Sequence, residues 1–507
     1  METSNIPRGA VKITLANASD YLIMALFYVV VTKTNALTQT EIGTLSILSF
    51  LTSTFSLLTL LALPTAITKF TSEKLGKNQK GEATAIQKTV TKTVVTLSIA
   101  GFAVAALSSQ LVSQYLWNNP EYVILIILNF TYAFLSNILT LCRSTLQALY
   151  LFGKMATITV TYVVSSRIVA IALALLHMGV AGVIIGYIIG SIIALAVAIN
   201  FLRDKLPKTT KNMPLKPLLY FSLPLFLSSI TMLVLSWADI AIITSLTGDY
   251  SLTGVYYIVI NSVGTLSILY MPMMTTIFPT LSAHHGLEKP ESISNILKTT
   301  SRYIIYIIFP SCIGLAIIAP TALTFFYGAG YAEGATPLAI LSITTIIIAL
   351  SALLTTALTA TGKTGQILKI NTISAVSTIL MLLALVRLLE TTGAALTRLT
   401  TQLIGLTLAA YALRKEIRIR LDKEALWKSA LATTATVPVL LALELVISTR
   451  LTTTQTLITE ILTAAAIYAF VLYILKALKN QDFELLKQAL PKPLTKYLNT
   501  LERVFVR

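Results

Sequence analysis

Apolar runs of roughly 20 residues recur along the whole chain, and they constrain its fold more than any other feature. A helix of that length spans the hydrocarbon core of a bilayer and satisfies its own backbone hydrogen bonds there. The sequence therefore predicts an all-α integral membrane protein with about 14 transmembrane helices. The predicted spans are residues 9–32, 42–66, 88–109, 121–144, 155–177, 180–202, 217–245, 251–276, 300–322, 335–360, 366–387, 392–413, 425–448 and 455–477.

The charged residues are few, and their placement fits the same class. Asp, Glu, Lys and Arg make up 12% of the 507 residues, about half the share found in soluble globular proteins. The net charge of +17 comes from short basic clusters between the apolar runs. That pattern is typical of loops in membrane proteins and not of a nucleic-acid-binding surface. We expect no nucleic-acid partner.

No soluble catalytic domain is expected, because the loops between the spans are no longer than about 25 residues. The two cysteines, Cys142 and Cys312, belong to no Cys/His cluster, so neither a metal site nor a disulfide framework is indicated. An integral-membrane glycosyltransferase is disfavoured, since the outer-loop acids Asp249 and Glu333 are isolated. We expect a protein that is not an enzyme and has no cofactor or metal.

The basic residues also predict an orientation. With a cytoplasmic N-terminus, the inner loops collect most of the lysines and arginines. The outer loops and their flanks then carry only Lys33, Arg387, Arg398 and Arg450. This asymmetry follows the positive-inside rule, and an even number of spans returns the C-terminus to the cytoplasm as well.

Four features of the first half of the chain recur in the second half, in the same order and at offsets of 209 to 219 residues. The pairs are Asp20 and Asp239, Pro64 and Pro279, Gly153 and Gly362, and Gly182 and Gly393. Six helices per copy return the chain to the same side of the membrane. The pattern predicts two parallel six-helix lobes, with the last two helices outside the repeat.

These patterns divide the chain into five predicted parts. They are an N-terminal six-helix lobe (1–203), a basic cytoplasmic linker (204–216), a C-terminal six-helix lobe (217–423), an extra helix pair (424–479) and an amphipathic cytoplasmic tail (480–507). In the tail, apolar residues recur at helical spacing with basic residues between them, a pattern that suits the inner membrane surface. Packing under the bundle is an equally good interpretation.

Several stretches resemble the multidrug/oligosaccharidyl-lipid/polysaccharide exporter superfamily, and within it the polysaccharide and oligosaccharide-lipid flippases. In the first lobe they are TEIGTLSILSF, LALPTAITKF and CRSTLQALYLFGKMATITV. In the second lobe they are FSLPLFLSS, WADIAIITSL, TGVYYIV, IFPTLS, LTFFYGAGYAEGATPLAIL and TTALTATGKTGQILKI. Together they extend over about helices one to twelve.

The resemblance implies two six-helix lobes around a cavity that opens alternately to either side of the membrane. It also implies that a flippase moves a polyprenyl-(pyro)phosphate-linked oligosaccharide from the inner to the outer leaflet of the plasma membrane. The extra helix pair is similar to that of flippases whose added helices hold the lipid tail. The alternative is a cation-coupled drug or metabolite exporter of the same fold. We expect a monomer whose partners are the lipid-linked oligosaccharide and membrane lipids.

Arg167 is the sharpest candidate for binding an anionic substrate, because a cation in the middle of the fifth span must face the bundle interior. Its guanidinium could bind a phosphate bidentately. Asp20 is expected at a similar depth in the same lobe, either near the substrate or in an ion pair with Arg167. Arg143, Lys12 and Lys92 could form a basic vestibule on the cytoplasmic side, or extend to lipid phosphates.

Asp239 in the seventh span is the candidate for coupling or gating. A carboxylate there could couple transport to H⁺ or Na⁺, or make a structural hydrogen bond to the eighth helix. Pro224 and Pro272 interrupt apolar spans and are predicted to bend helices in the same region. Finally, Gly182, Gly186 and Gly190 form a small-residue face that suits close helix packing within the lobe, ahead of a dimer contact.

Overall fold

The computed structural model describes residues 5–203, 213–415, 417, 419–447 and 453–477, without the side chains of residues 5–15, 17, 444–447 and 453. Within these ranges the chain forms helices joined by short turns, and no strand occurs. Lys12 has no described side chain, and most of the predicted linker and the whole predicted tail lie outside the described residues. The all-helical prediction is confirmed.

The described helices follow one another with short connections. In chain order the α-helices are α1 (Asn5–Lys33), α2 (Gln39–Leu60), α3 (Leu63–Gly76), α4 (Lys80–Trp117), α5 (Tyr122–Ala148), α6 (Phe152–Leu175), α7 (Gly179–Leu202), α8 (Leu215–Thr247), α9 (Tyr250–Gly264), α10 (Met271–Gly286), α11 (Pro290–Ile317), α12 (Ala319–Tyr327), α13 (Ala335–Ala360), α14 (Thr364–Leu413), α15 (Lys423–Ile447) and α16 (Thr453–Ile474). Short 3₁₀ helices cover Thr265–Leu269 and Ala329–Gly334.

Twelve helices in the described part of the chain are long and apolar enough to cross a membrane. One of them, α14, consists of two helices joined at Glu390, whose φ of 48° and ψ of −125° are not helical. Its halves correspond to the predicted spans 366–387 and 392–413, and α1 corresponds to the predicted first span. The prediction of about 14 transmembrane helices is thereby confirmed. The cytoplasmic placement of the two termini stays a prediction.

Two predicted spans are wrong at one end. The span 42–66 is interrupted after Leu60, where Leu61 and Ala62 both adopt left-handed conformations with φ of 48° and 55°. The span 251–276 is interrupted after α9, and a new helix, α10, begins at Met271. Each interruption is followed by a proline within the first two positions of the next helix, Pro64 in α3 and Pro272 in α10. A proline is tolerated there because the first helical N–H groups have no intrahelical partner.

The chain forms two compact units by its internal contacts. The first comprises residues 1–268 and 368–401, and the second comprises 269–367 and 402–507. The five-part division predicted from the repeat has different boundaries and stays a prediction. All of the predicted site residues except Pro272 belong to the first unit.

In the first unit, α6 and α7 approach closely along the predicted glycine face. A Cβ atom added to Gly186 would lie 2.5 Å from the backbone nitrogen of Ala170, and one added to Gly190 would lie 2.6 Å from the Cα atom of Ser166. Neither backbone could accommodate a larger side chain without moving. The glycine face therefore serves packing between two neighbouring helices of the same unit.

Helices α2 and α9, which correspond in the predicted repeat, cross at a reciprocal pair of glycines. A Cβ atom on Gly43 would overlap the carbonyl oxygen of Tyr250, and one on Gly254 would overlap the carbonyl oxygen of Gln39. The separation of Gly43 and Gly254 falls within the offsets of the predicted repeat. Corresponding glycines at a symmetric crossing are what a parallel repeat would produce.

Candidate functional site

A cluster of arginines and tyrosines lies on three neighbouring helices of the first unit. We define the arginine–tyrosine cluster as Tyr132 and Arg143 on α5, Tyr162 and Arg167 on α6, and Tyr187 on α7. The close packing of α6 and α7 assembles one side of it, because Tyr187 follows Gly186 directly and Arg167 follows Ser166.

Arg167 is held by hydrogen bonding and by aromatic rings. Its Nη1 donates to the hydroxyl of Tyr187. The centre of its guanidinium lies 4.6 Å from the centroid of the Tyr187 ring and 5.1 Å from that of Phe27, a fully buried residue of α1. Rings at these distances attract the cation through their quadrupoles. The side chain is thus fixed in orientation without a carboxylate.

Arg143 lies against the same aromatic group. The centre of its guanidinium is 5.6 Å from the centroid of the Tyr162 ring, and the hydroxyls of Tyr132 and Tyr162 are 2.7 Å apart. The rings of Tyr132 and Tyr187 lie 5.4 Å apart, which links the two arginines through tyrosines.

Three guanidinium donors of this cluster are buried without a hydrogen-bond acceptor among the described residues. They are Nε and Nη2 of Arg143 and Nε of Arg167. Buried polar groups in native proteins are nearly always bonded, and each exception calls for an explanation. An anion such as a phosphate would satisfy donors of this geometry.

Asp20 is half-buried on α1, within electrostatic range of both Arg167 and Arg143. Although all three residues are described, no ion pair of 4.0 Å or less joins Asp20 to either arginine. The predicted alternative of an Asp20–Arg167 ion pair is therefore wrong. With two cations and one carboxylate, the surroundings of Asp20 keep an excess of positive charge.

The predicted basic vestibule of Arg143, Lys12 and Lys92 is not assembled by the described side chains. Arg143 belongs to the arginine–tyrosine cluster. Lys92 is exposed on α4, and the side chain of Lys12 lies outside the described residues. An exposed lysine on a long helix is free to extend toward lipid phosphates.

Asp239 has a partner that the sequence did not indicate. Its carboxylate is 3% exposed and accepts a hydrogen bond from Nε of Arg398, on the second half of α14, at 2.6 Å. The Tyr256 hydroxyl on α9 donates to the same oxygen at 3.1 Å, which is the predicted bond to the eighth helix. Nη2 of Arg398 also donates to the carbonyl of Ser236 at 3.2 Å.

Arg398 was overlooked because the positive-inside count placed it at the outer flank of a span. The helix in fact restarts directly after Glu390, so Arg398 lies two turns inside it. One signal could have revealed the pair, namely a carboxylate and an arginine in apolar spans of the same half of the chain.

The two predicted gating prolines have different positions. Pro224 lies within α8, which continues through it, and its ring is exposed. Pro272 lies in the first turn of α10 and bends no helix. The coupling or gating role of Asp239, Pro224 and Pro272 stays a prediction.

The sequence and the fold were compared with known proteins. Residues 36–336 match a family described as polysaccharide biosynthesis protein. No curated protein matched the sequence. Because the similar solved structures are all below 25% identity, they show the fold alone.

Three of these structures illustrate the fold. The lipid II flippase MurJ in an inward closed conformation has a TM-score of 0.73 at 16% identity, covering 92% of this chain and 98% of that one. An inward-facing multidrug resistance transporter of the MATE family has a TM-score of 0.61 at 14% identity, covering 80% and 99%. The MATE multidrug transporter DinF-BH, solved as a complex with a small molecule, has a TM-score of 0.61 at 15% identity, covering 82% and 96%.

Proposed function

Since the chain belongs to the polysaccharide biosynthesis protein family, we propose that it is a flippase for a polyprenyl-(pyro)phosphate-linked oligosaccharide. It is a multi-pass membrane protein with the fold of flippases and transporters. In the proposed cycle the head group enters from the inner leaflet of the plasma membrane and leaves at the outer leaflet. Two lobes give access to each side alternately.

The arginine–tyrosine cluster carries this proposal. Leaving a buried donor unsatisfied costs about 1–3 kcal/mol, and the cluster contains three such donors on two guanidinium groups. A phosphate or diphosphate would accept hydrogen bonds from them and neutralise the excess positive charge. In this role Arg167 and Arg143 bind the head group, and Asp20 limits how tightly it is held.

An exporter of organic cations of the same fold is the competing function, since two of the similar structures are multidrug transporters. Such a substrate needs an uncompensated carboxylate. Asp239 is compensated by Arg398, and Asp20 is outnumbered by two arginines. These charges favour an anionic substrate. Coupling to H⁺ or Na⁺ through Asp239 would require the ion to compete with a guanidinium already in place.

Leaflet exchange in liposomes tests the function. The purified protein is reconstituted with a fluorescent polyprenyl diphosphate-linked oligosaccharide, and the fraction accessible to a membrane-impermeant quencher is followed over time. We expect exchange by the wild type and at least about a tenfold loss in Arg167→Gln and in Arg143→Gln, because each removes a charge-assisted fork. Arg387→Gln, at an exposed arginine of α14, is the matched control and should exchange normally.

The possible results separate the function from its site. Absence of exchange by the wild type, together with uptake of an organic cation such as tetraphenylphosphonium, would overturn the flippase. Normal exchange by both cluster variants would leave the flippase standing and remove the arginine–tyrosine cluster as its binding site.

A further inference from the structure

A second cavity of the first unit has a chemistry unlike that of the arginine–tyrosine cluster. It lies between α2, the start of α3 and α8, and its volume is about 360 Å³. That volume is at the lower end of the range of about 300–1,000 Å³ for small-molecule sites. The interruption after Leu60 forms one wall, since Ala62, Pro64 and Thr65 all line the cavity.

We call this cavity the serine groove, after its polar lining residues. They are Ser53, Ser56, Thr65, Ser229, Ser236 and Trp237. The remaining lining residues are apolar, and none carries a charge. An anionic group would find no cation here, and a lipid tail would leave the hydroxyls unused. Hydroxyls beside an indole ring suit an uncharged ligand with its own hydroxyls and an apolar face.

Several polar groups of the serine groove are available to a ligand. The hydroxyls of Ser56 and Ser236 and the indole N–H of Trp237 make no hydrogen bond with any residue that the structure describes. The hydroxyls of Ser53 and Ser229 donate to carbonyls of their own helices at 2.9 Å, and their lone pairs stay open to accept. The groove thus offers donors and acceptors together, as a polyhydroxyl ligand requires.

Trp237 is oriented by its neighbours. Its ring stacks on Tyr257 with centroids 6.3 Å apart and planes inclined by 26°, and the Phe50 ring lies 6.4 Å away. The Asp239–Arg398 pair fixes the same turn of α8, because Arg398 also donates to the carbonyl of Ser236. Asp239 and Arg398 are therefore positioning residues for the lining of the groove.

We propose that the serine groove binds uncharged sugar residues of the lipid-linked substrate, with a sugar ring against Trp237 and its hydroxyls bonded to Ser56 and Ser236. This inference rests on the proposed function and assigns to the sugar a subsite of its own. The diphosphate is bound by other groups. Substrate preference among sugars then depends on this groove.

The test compares two lipids on the same protein. Binding of a fluorescent polyprenyl diphosphate carrying an N-acetylglucosamine disaccharide is measured in nanodiscs beside the same lipid without sugar. The readout is the ratio of the two affinities. We expect the wild type to prefer the glycosylated lipid, and we expect Ser56→Ala/Ser236→Ala to reduce that preference by about fivefold to tenfold. Affinity for the sugar-free lipid should not change.

Two further variants complete the design. Trp237→Phe keeps an aromatic ring against Tyr257 but removes the indole N–H, and should reduce the preference by a smaller factor. Ser108→Ala removes a hydroxyl from α4 that donates to its own helix outside the groove, and should behave as the wild type. Because the serine variants remove one atom each, they test the groove even if a larger change at Trp237 prevents folding.

Each result decides the inference. A wild type that binds both lipids equally refutes it, and so does a preference that survives in the double serine variant. Equal weakening of both lipids refutes it as well, because the groove would then hold the tail or the diphosphate. In these cases leaflet exchange by the wild type keeps the flippase intact. Failure of the wild type to exchange either lipid would refute the proposed function, and this inference with it.

Discussion

The Asp239–Arg398 pair is the place where a single substitution should cost the most. Arg398→Met removes the cation and leaves a carboxylate that is 3% exposed, with the Tyr256 hydroxyl as its remaining side-chain donor among the described residues. Breaking a buried ion pair from one side costs about 3–5 kcal/mol. The Arg398 side chain keeps 23% exposure. Because solvent weakens such a pair, we expect the lower end of the range, about 3 kcal/mol.

The double variant Asp239→Leu/Arg398→Met should recover most of this loss. Apolar replacement of both members of a buried ion pair is often close to neutral, since the desolvation penalty of both charges disappears. We therefore expect the two substitutions to be non-additive, with a coupling free energy of about 2–3 kcal/mol.

Thermal unfolding of the detergent-purified wild type, the two single variants and the double variant completes the cycle. Losses that add up across the two sites would refute the reasoning, because independent side chains cannot form the pair that the structure contains. Leaflet exchange by the same proteins then separates two roles of Asp239. Ion-dependent exchange by a stable double variant excludes coupling through Asp239, whereas a stable but inactive one supports coupling or gating.

Two smaller perturbations test the packing of each unit, again by thermal unfolding. Gly190→Ala puts a Cβ atom 2.6 Å from the Cα atom of Ser166 and should destabilise the protein by about 1–3 kcal/mol. Gly314→Ala, where no atom lies within 4 Å, should be neutral or slightly stabilising, and equal losses at both glycines would contradict the close approach of α6 and α7. Tyr306→Phe removes the bond from its hydroxyl to the carbonyl of Ala477 at 3.2 Å and should cost about 0.5–1.5 kcal/mol, so an unchanged unfolding temperature would show that this bond contributes nothing.

The helical spans could be predicted from sequence because the bilayer sets their length. Interruptions were harder to predict. At Leu61 and Ala62 the backbone turns left-handed without a glycine, so composition alone gives no warning. At Glu390 the reversal is shorter than the loop that was expected between two spans. Boundaries of this kind depend on how neighbouring helices pack, and sequence periodicity does not report that.

The candidate site divides in the same way. Arg167 was found because a lone cation in an apolar span must have a purpose. Its surroundings were not found, because tyrosines on three helices carry no signal of mutual distance in the sequence. The expected ion pair with Asp20 was wrong for the same reason. Two charges at similar depth need not face each other, and rings satisfied the guanidinium instead.

The sequence by itself determined the membrane class, the number of spans and the charges that had to face the interior of the bundle, since each follows from the cost of transferring a group into lipid. Only the tertiary structure decided which groups meet. It gave Asp239 to Arg398, left donors of Arg143 and Arg167 without acceptors, and gathered hydroxyls around Trp237. The physical reason is that transfer into lipid acts on each residue alone, whereas pairing depends on helix rotation and approach. Small residues such as Gly186 and Gly190 set that approach.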